Sequence, residues 1–401
     1  MRRMSNLSHD RLDRWRATLA GHVERGTVPG AVGLISRRGE THVTTHGVRA
    51  LGGSALTEDS IFRVASLTKP VVAAAAMILV EECVLRLDSP VADLLPELAE
   101  PRVLRALDGP VNETVAAERP ITVRHLMNST FGHGLIMAPP GTYPVQDALA
   151  AIGMAPGPPR PGSTPDADEF LRLLATVPLL TQPGRKWWYD TASDVLGILI
   201  SRATGKSLGE FLRERIFEPL GMVDTGFHVP ADKIDRLVTA YLTEGDQPVI
   251  YDPAEGGEWS AAPALESGRG GLVSTAADYL AFGRMLLDQG RGPNGRILSR
   301  PSVQTMTSDQ LLPSQRAGAD LIPGFFDNQT WGFGLSVVTR RDDIHMVPGR
   351  FGWTGGLGTT AQMDPTEDMV IVLLTQQAWT SPSGPDIYTD FLVSSYATID
   401  D

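Results

Sequence analysis

Apolar and polar positions alternate with two different periods along this chain, and the two are segregated. Near the start, "AVGLISRRGETHVTTHGV" gives two short strand-like runs, Ala31–Ser36 and Thr41–Val48, around an Arg-Arg-Gly-Glu turn. Near the end, Trp331–Thr339, Gly358–Met363 and Met369–Thr375 read as strands, the last two flanking the turn sequence "DPTED". Between these ends the period is helical: Asp194–Ala203, Leu208–Phe217 and Thr275–Leu287 carry apolar residues at helical spacing. A last amphipathic helix is expected over Asp386–Ala397, and another at the N-terminus in "MRRMSNLSHDRLDRWRATLAGHVERG". Strands at both ends with helices between them predict an α+β fold. One antiparallel sheet flanked by helices is built from the N- and C-terminal segments, 7–86 and 256–400, with a mostly helical domain inserted over 87–255. Residues 138–165, rich in Pro, Gly and Ala, read as a long lid-like loop, either functional or a plain surface insertion.

Composition narrows the function. The chain has 401 residues, 42% of them hydrophobic, enough for a large core. A net charge of −12 repels phosphate backbones, so nucleic acid is not an expected partner. The single cysteine, Cys83, excludes an internal disulfide and is expected in the core, late on the helix that begins near Ser66. The N-terminal stretch lacks the apolar centre of a signal peptide, and the longest apolar run, "PVVAAAAMILV", is too short to cross a bilayer. A cytoplasmic protein with no membrane partner is expected; the oligomeric state is not legible. Eight histidines are scattered without ligand spacing, so neither metal nor cofactor is expected.

The candidate chemistry starts at "IFRVASLTKP", residues 61–70. Pro70 is tolerated only in the first turn of a helix, which sets the helix start at Ser66. Ser66 and Lys69 then share one helix face. The plain reading is an N-cap and a solvated charge. The sharper reading is a nucleophile and its base: apolar neighbours on both sides imply a buried lysine, and burial lowers a lysine pKa toward neutrality. Backbone N–H groups at the helix start would form half of an oxyanion hole.

Two further stretches fit that reading. In "PGRKWWYDTASDVLGILI", Tyr189 precedes a helix and can reach a cleft to relay a proton, or else packs with Trp187 and Trp188. In "GRFGWTGGLGTTAQMDP", the glycines allow close backbone approach, so an N–H near Gly356 would complete the oxyanion hole; the alternative is a bulge or tight turn. His133, just after "NSTFG", is a candidate cleft residue or a plain loop histidine. Trp187, Trp188 and Trp353 are candidates for an apolar acyl pocket, with core packing as the default.

Together these segments resemble the serine β-lactamase / penicillin-binding-protein superfamily, which carries S-x-x-K and K-T-G signatures. "FRVASLTKP" resembles its nucleophile helix, and "ITVRHLMNSTFG" a segment common in class C-like members. Residues 183–222 resemble the tyrosine region with its two following helices, and "GRGGLVSTAADYLAFGRMLL" the family's "GGLvSTaaDyarF" segment. The resemblance implies an antiparallel sheet flanked by helices plus an all-helical domain, with Ser66, Lys69 and Tyr189 as catalytic residues. Where lactam-binding members carry Lys-Thr-Gly, this chain has Trp353, Thr354 and Gly355, followed by Gly356. Tryptophan cannot pair with a substrate carboxylate. Tyr-x-Asn is replaced by Tyr189-Asp190-Thr191. Trp353, together with the spacing from Tyr189 to "DVLG", resembles family VIII carboxylesterases, with Arg350 as a candidate replacement for the lost positive charge. The implied substrate is a small-molecule acyl ester. An acyltransferase, a lactamase, peptidase or amidase, and a non-catalytic sensor or scaffold stand as alternatives.

One more motif competes. "GKSLG", residues 205–209, fits the G-x-S-x-G of a nucleophile elbow. A helix precedes it, not a strand, so Gly205 is expected to end that helix and Ser207 to cap the next in a capping box with Glu210.

Overall fold

The computed structural model describes residues 7–245, 247–319, 322–381 and 383–401. Residues 1–6, which open the stretch read as an N-terminal helix, lie outside them. The architecture is α+β, an antiparallel sheet flanked by helices. Seven strands compose the sheet: β1 Gly30–Arg37, β2 Glu40–Gly47, β3 Gln329–Trp331, β4 Ser336–Val338, β5 Phe351–Gly355, β6 Thr359–Asp364 and β7 Met369–Thr375. Their order is β3-β4-β5-β6-β7-β1-β2, and every neighbour pair is antiparallel. The chain's two ends therefore meet inside the sheet, one strand from its edge, where Leu34 pairs with Val372.

Local sequence explains the turns. Arg38 and Gly39, both at positive φ (50° and 89°), form the tight turn whose twist suits a two-residue hairpin. At "DPTED", Asp364 Oδ1 accepts from the N–H groups of Thr366 (2.8 Å) and Glu367 (3.1 Å), so the aspartate caps its own turn. The run Trp331–Thr339, expected as one strand, is a hairpin: Gly332 N–H donates to Leu335 C=O at 2.9 Å, and Gly334 takes φ 72°. Its tip packs on the Lys69 carbonyl so closely that a Cβ on Gly334 would lie 2.8 Å away.

Both faces of the sheet are covered. On β7, Met369, Ile371 and Leu373 join the core under α1 (His9–Glu24), while Val370, Val372 and Leu374 join the larger core on the other side. That two-sided burial is why β7 reads as an unbroken apolar run. The larger core contains α2 (Thr68–Glu81), α3 (Ala192–Thr204) and α4 (Ala276–Leu287); α5 (Asp386–Tyr396) lies with α1. Helix α2 is buried from Thr68 to Leu79, and its alanines let neighbours approach closely. Cys83 departs from expectation: α2 stops at Glu81, and Cys83 sits exposed in the following turn at φ 59°.

The middle of the chain holds most of the remaining helices and also two β-pairs, Arg102–Leu104 with Thr114–Ala116 and Ala240–Glu244 with Gln247–Asp252. The Leu208–Phe217 helix is α-helical to Leu212, then widens into a π turn over Arg213–Phe217. The 138–165 stretch is folded: it contains a helix, Pro144–Ala151, and is tied down where Tyr251 Oη donates to the Pro159 carbonyl and Gly162 N–H donates to Glu258 at 2.9 Å. Among the described residues, no helix is long and apolar enough to cross a membrane.

Candidate active site

Ser66 sits in a short, heavily braced turn. The preceding strand, Phe62–Arg63, pairs with Val273–Ser274, and Arg63 is buried against Asp252 with Nε 2.8 Å from Oδ2. Val64 donates to Leu272 C=O (3.0 Å) and accepts from Thr359 Oγ1 of β6 (3.0 Å). Ala65 then takes φ 45°, a left-handed conformation costly for a residue with a Cβ. Thr68 Oγ1 holds the Ala65 carbonyl at 2.7 Å, and Tyr279 Oη holds that of Leu67 at 2.8 Å. The strained residue turns the chain so that Ser66, alone among residues 61–70, escapes full burial. Ser66 lies in a 3₁₀ turn, Ala65–Leu67, and α2 proper begins two residues later at Thr68, with Pro70 in its first turn as expected.

Lys69 is buried beneath Ser66. Its Nζ donates to Ser66 Oγ (2.9 Å) and to the Arg269 carbonyl (2.6 Å), and lies 2.5 Å from Asp190 Oδ1. Ser66 pulls the Tyr189 phenol pKa down, and the Lys69 ammonium lies 4.6 Å from the Tyr189 ring centroid. The "NSTFG" segment fixes the tyrosine: Trp188 N–H donates to Ser129 C=O at 2.8 Å and Leu135 N–H to Tyr189 C=O at 2.9 Å.

The electrostatics correct one expectation. Burial is the largest single influence and opposes the Lys69 charge, but Asp190 and Tyr189 together outweigh it, and the lysine pKa is raised, not lowered. Burial likewise raises the Tyr189 phenol, against the pull of Lys69. Asp190 is itself held below the usual carboxylate range: burial opposes its charge, and Lys69 and Arg269 overcome that opposition. Arg269 connects onward, Nε lying 3.0 Å from Asp194 Oδ2. Sequence reading noted Asp190 only as a departure from a motif and did not single out Arg269. Both lie inside stretches already quoted, but nothing local says that they meet.

Strand β5 closes the other side. Trp353 Nε1 donates to Tyr189 Oη at 2.7 Å, and its ring stands edge-on to Trp331 with centroids 4.6 Å apart. A Cβ on Gly355 would overlap the Val64 carbonyl and Thr359 Oγ1, so only glycine lets β5 press against the Ser66 turn. Gly356, the next residue, has open space where a Cβ would go. Ser66, Tyr189, Trp353, Thr354 and Gly356 all line one cavity of about 350 Å³, with Lys69 and Gly355 buried behind its wall. Its outer walls include Pro156–Pro159 from the segment read as a lid, and Trp379, which sequence reading missed.

Four candidates lie elsewhere. His133 is buried beside Phe131, with no hydrogen-bond partner on either ring nitrogen; burial pushes its pKa down to about 4, so it stays neutral. Arg350 is buried at the start of β5, near Met346 (Nη2 3.2 Å from Sδ) and the α5 tyrosines. It does not replace the missing lysine, because Arg350 lies on the α5 side of the sheet and not at the cavity. Among the described residues lining the cavity the one cation is Arg269, and it is engaged by Asp190 and Asp194. Trp187 packs behind Tyr189, centroids 5.7 Å apart, and Trp188 Nε1 donates to Thr181 at 2.9 Å. These two tryptophans line a smaller cavity of about 130 Å³ that shares Leu135, Met137 and Tyr189 with the main one.

Ser207 behaves as a cap. Gly205 ends α3 at φ 68°, and Ser207 Oγ accepts from Glu210 N–H at 3.1 Å. Glu266 is the carboxylate at that helix start, accepting from Gly209 N–H at 2.7 Å. Among the described residues no His, Cys, Asp and Glu side chains cluster as a metal site would require.

Comparison with known proteins adds to this geometry. The profile of the Beta-lactamase family matches residues 15–392. The chain is 35% identical to Protein Rv1367c of Mycobacterium tuberculosis, over 94% of this chain and 92% of that protein. It is 33% identical to Esterase EstB of Burkholderia gladioli, covering 89% and 88% of the two chains. Among solved structures it resembles EstCE1, described as a hydrolase with promiscuous acyltransferase activity, with a TM-score of 0.78, 25% identity and coverage of 96% and 98%.

Proposed function

The chain belongs to the Beta-lactamase family, and we propose that within it the protein is a serine hydrolase of carboxylic esters working through a covalent acyl-enzyme. The observation that carries this reading is the contact of Lys69 Nζ with Ser66 Oγ at 2.9 Å, beside a tyrosine hydroxyl and open to a cavity. Ser66 Oγ attacks the ester carbonyl as its proton passes to the Lys69–Tyr189 pair. The oxyanion is held by the N–H of Ser66 and an N–H near Gly356. Collapse expels the alcohol, which regains a proton from the pair, and water then releases the acid.

Two features favour esters over lactams and peptides bearing a carboxylate. Trp353 stands where lactam-binding relatives carry a lysine, and its N–H is spent on Tyr189. The cavity's cation, Arg269, is already paired. Similarity to an esterase supports the same choice. Transfer of the acyl group to an alcohol is a second reading, favoured by the likeness to EstCE1 and its described acyltransferase activity.

Intact-protein mass spectrometry after incubation with p-nitrophenyl butyrate, and separately with a penicillin, tests the proposal. An acyl mass gain is expected on the wild-type chain with the ester and none on Ser66→Ala. An adduct with the penicillin alone, or full turnover by Ser66→Ala, would sink it. No adduct with any acyl donor would favour a scaffold.

A further inference from the structure

Lys69 Nζ faces three acceptors, Ser66 Oγ, Asp190 Oδ1 and the Arg269 carbonyl, which matches the three protons of an ammonium. Behind it the charges alternate. Asp190 Oδ2 accepts from Arg269 Nη1 at 3.2 Å, and Asp194 Oδ1 accepts from Arg269 N–H (3.0 Å) and Ser267 Oγ (2.7 Å). Asp190 reaches this position at φ 97°, a backbone conformation that is costly for a non-glycine residue. A strained residue whose carboxylate fits between two buried cations marks an electrostatic device and not a filler.

We propose that Asp190, braced by Arg269, is a positioning residue that fixes Lys69 as an ammonium against Ser66 and thereby sets the pH window of acylation. This rests on the acyl-enzyme reading above. With all three Lys69 protons committed, the Ser66 proton goes to Tyr189. The Oγ–H bond breaks as the Oγ–carbon bond forms, the carbonyl electron pair moves to oxygen, and the Tyr189 phenolate becomes a phenol. On collapse the leaving alkoxide takes that proton, restoring the phenolate. Trp353 Nε1–H and the Lys69 charge stabilise the phenolate.

The active form is therefore one proton short of the resting form, and the Lys69–Tyr189 pair titrates as a unit. The ionisable groups facing Lys69 are Tyr189 and Asp190 from the loop before α3, and Arg269 from the loop before α4, with Asp194 of α3 behind it; β5 contributes the neutral Trp353. Both members of the pair are raised, so kcat/KM is expected to climb with pH above neutrality. Removing the Asp190 charge eases loss of the proton and moves that limb to lower pH. Removing the Arg269 charge moves it to higher pH. General structural damage does not produce opposite shifts.

The test is the pH profile of kcat/KM for p-nitrophenyl acetate in wild type, Asp190→Asn, Arg269→Gln and Asp190→Glu, with tyrosinate absorbance titrated in parallel against Tyr189→Phe. In Asp190→Asn the limb is expected to fall by about one to three pH units. In Arg269→Gln it rises, and in Asp190→Glu it stays near the wild-type position. The wild-type limb coincides with a tyrosinate signal that Tyr189→Phe lacks. An unmoved limb in Asp190→Asn overturns the proposal, as does a downward shift in Arg269→Gln or a limb with no tyrosinate signal. If Asp190→Asn does not fold, the direction of the Arg269→Gln shift decides. Acylation of Ser66 is scored by mass in every variant. Its absence in wild type defeats the acyl-enzyme reading, whereas acylation with an unshifted limb defeats only the role of Asp190.

Discussion

Two serines in this chain sit at helix starts inside hydrolase-like motifs, Ser66 in S-x-x-K and Ser207 in G-x-S-x-G, and their surroundings differ in every respect that matters for reactivity. Ser66 follows a strained Ala65 at φ 45°, touches a buried lysine and a tyrosine, and opens on a cavity of about 350 Å³. Ser207 has ordinary cap geometry at φ −64° and ψ 155°, is exposed, and uses its hydroxyl to satisfy one helix N–H. A helix N-terminus offers both serines N–H groups. What separates them is a buried, charge-balanced neighbour for one and a surface carboxylate, Glu266, for the other.

The contrast can be broken at several points. Ser66→Ala is expected to lower kcat on p-nitrophenyl esters by on the order of 1000-fold or more, measured in steady state; substantial residual turnover would mean the nucleophile is elsewhere. Tyr189→Phe should cost about 100- to 10,000-fold in kcat, with Ser66 still able to acylate slowly, since it removes a proton acceptor and leaves the ring packed. Gly355→Ala forces a Cβ into the Val64 carbonyl and should lower unfolding stability by about 1–3 kcal/mol in chemical denaturation. Gly356→Ala, with open space at its Cβ, should leave stability almost unchanged; equal losses for the two glycines would contradict the packing of β5 on the Ser66 turn. Ser207→Ala should keep kcat and lose about 1 kcal/mol of stability, the value of an N-cap. A Ser207→Ala enzyme without activity would reverse the comparison.

Much of this was legible because it is local. The unbroken apolar run of β7 and the i, i+3 spacing of Ser66 and Lys69 depend only on neighbours in sequence, and the run matches β7 to the residue. Where neighbours gave no signal the reading slipped. The hairpin inside Trp331–Thr339 depends on a turn packed against α2, a helix far away in sequence. Cys83 reads as helical from its neighbours, but the helix ends two residues before it. His133 and Arg350 carry side-chain chemistry suited to a site, but burial depth and sheet face decide whether that chemistry reaches a cleft.

The sequence by itself determined the strand-rich ends, the helical middle, Ser66 and Lys69 on one turn, and Ser207 as a cap, since each follows from backbone periodicity or short-range sterics. Tertiary structure alone decided the charge state of the site. Lys69 is separated from Arg269 by 200 positions and Tyr189 from Trp353 by 164, so no local rule brings them together. Once they meet in a dry interior, where Coulomb forces are weakly screened, Asp190 and Tyr189 together outweigh the burial that the sequence alone suggests would govern the lysine.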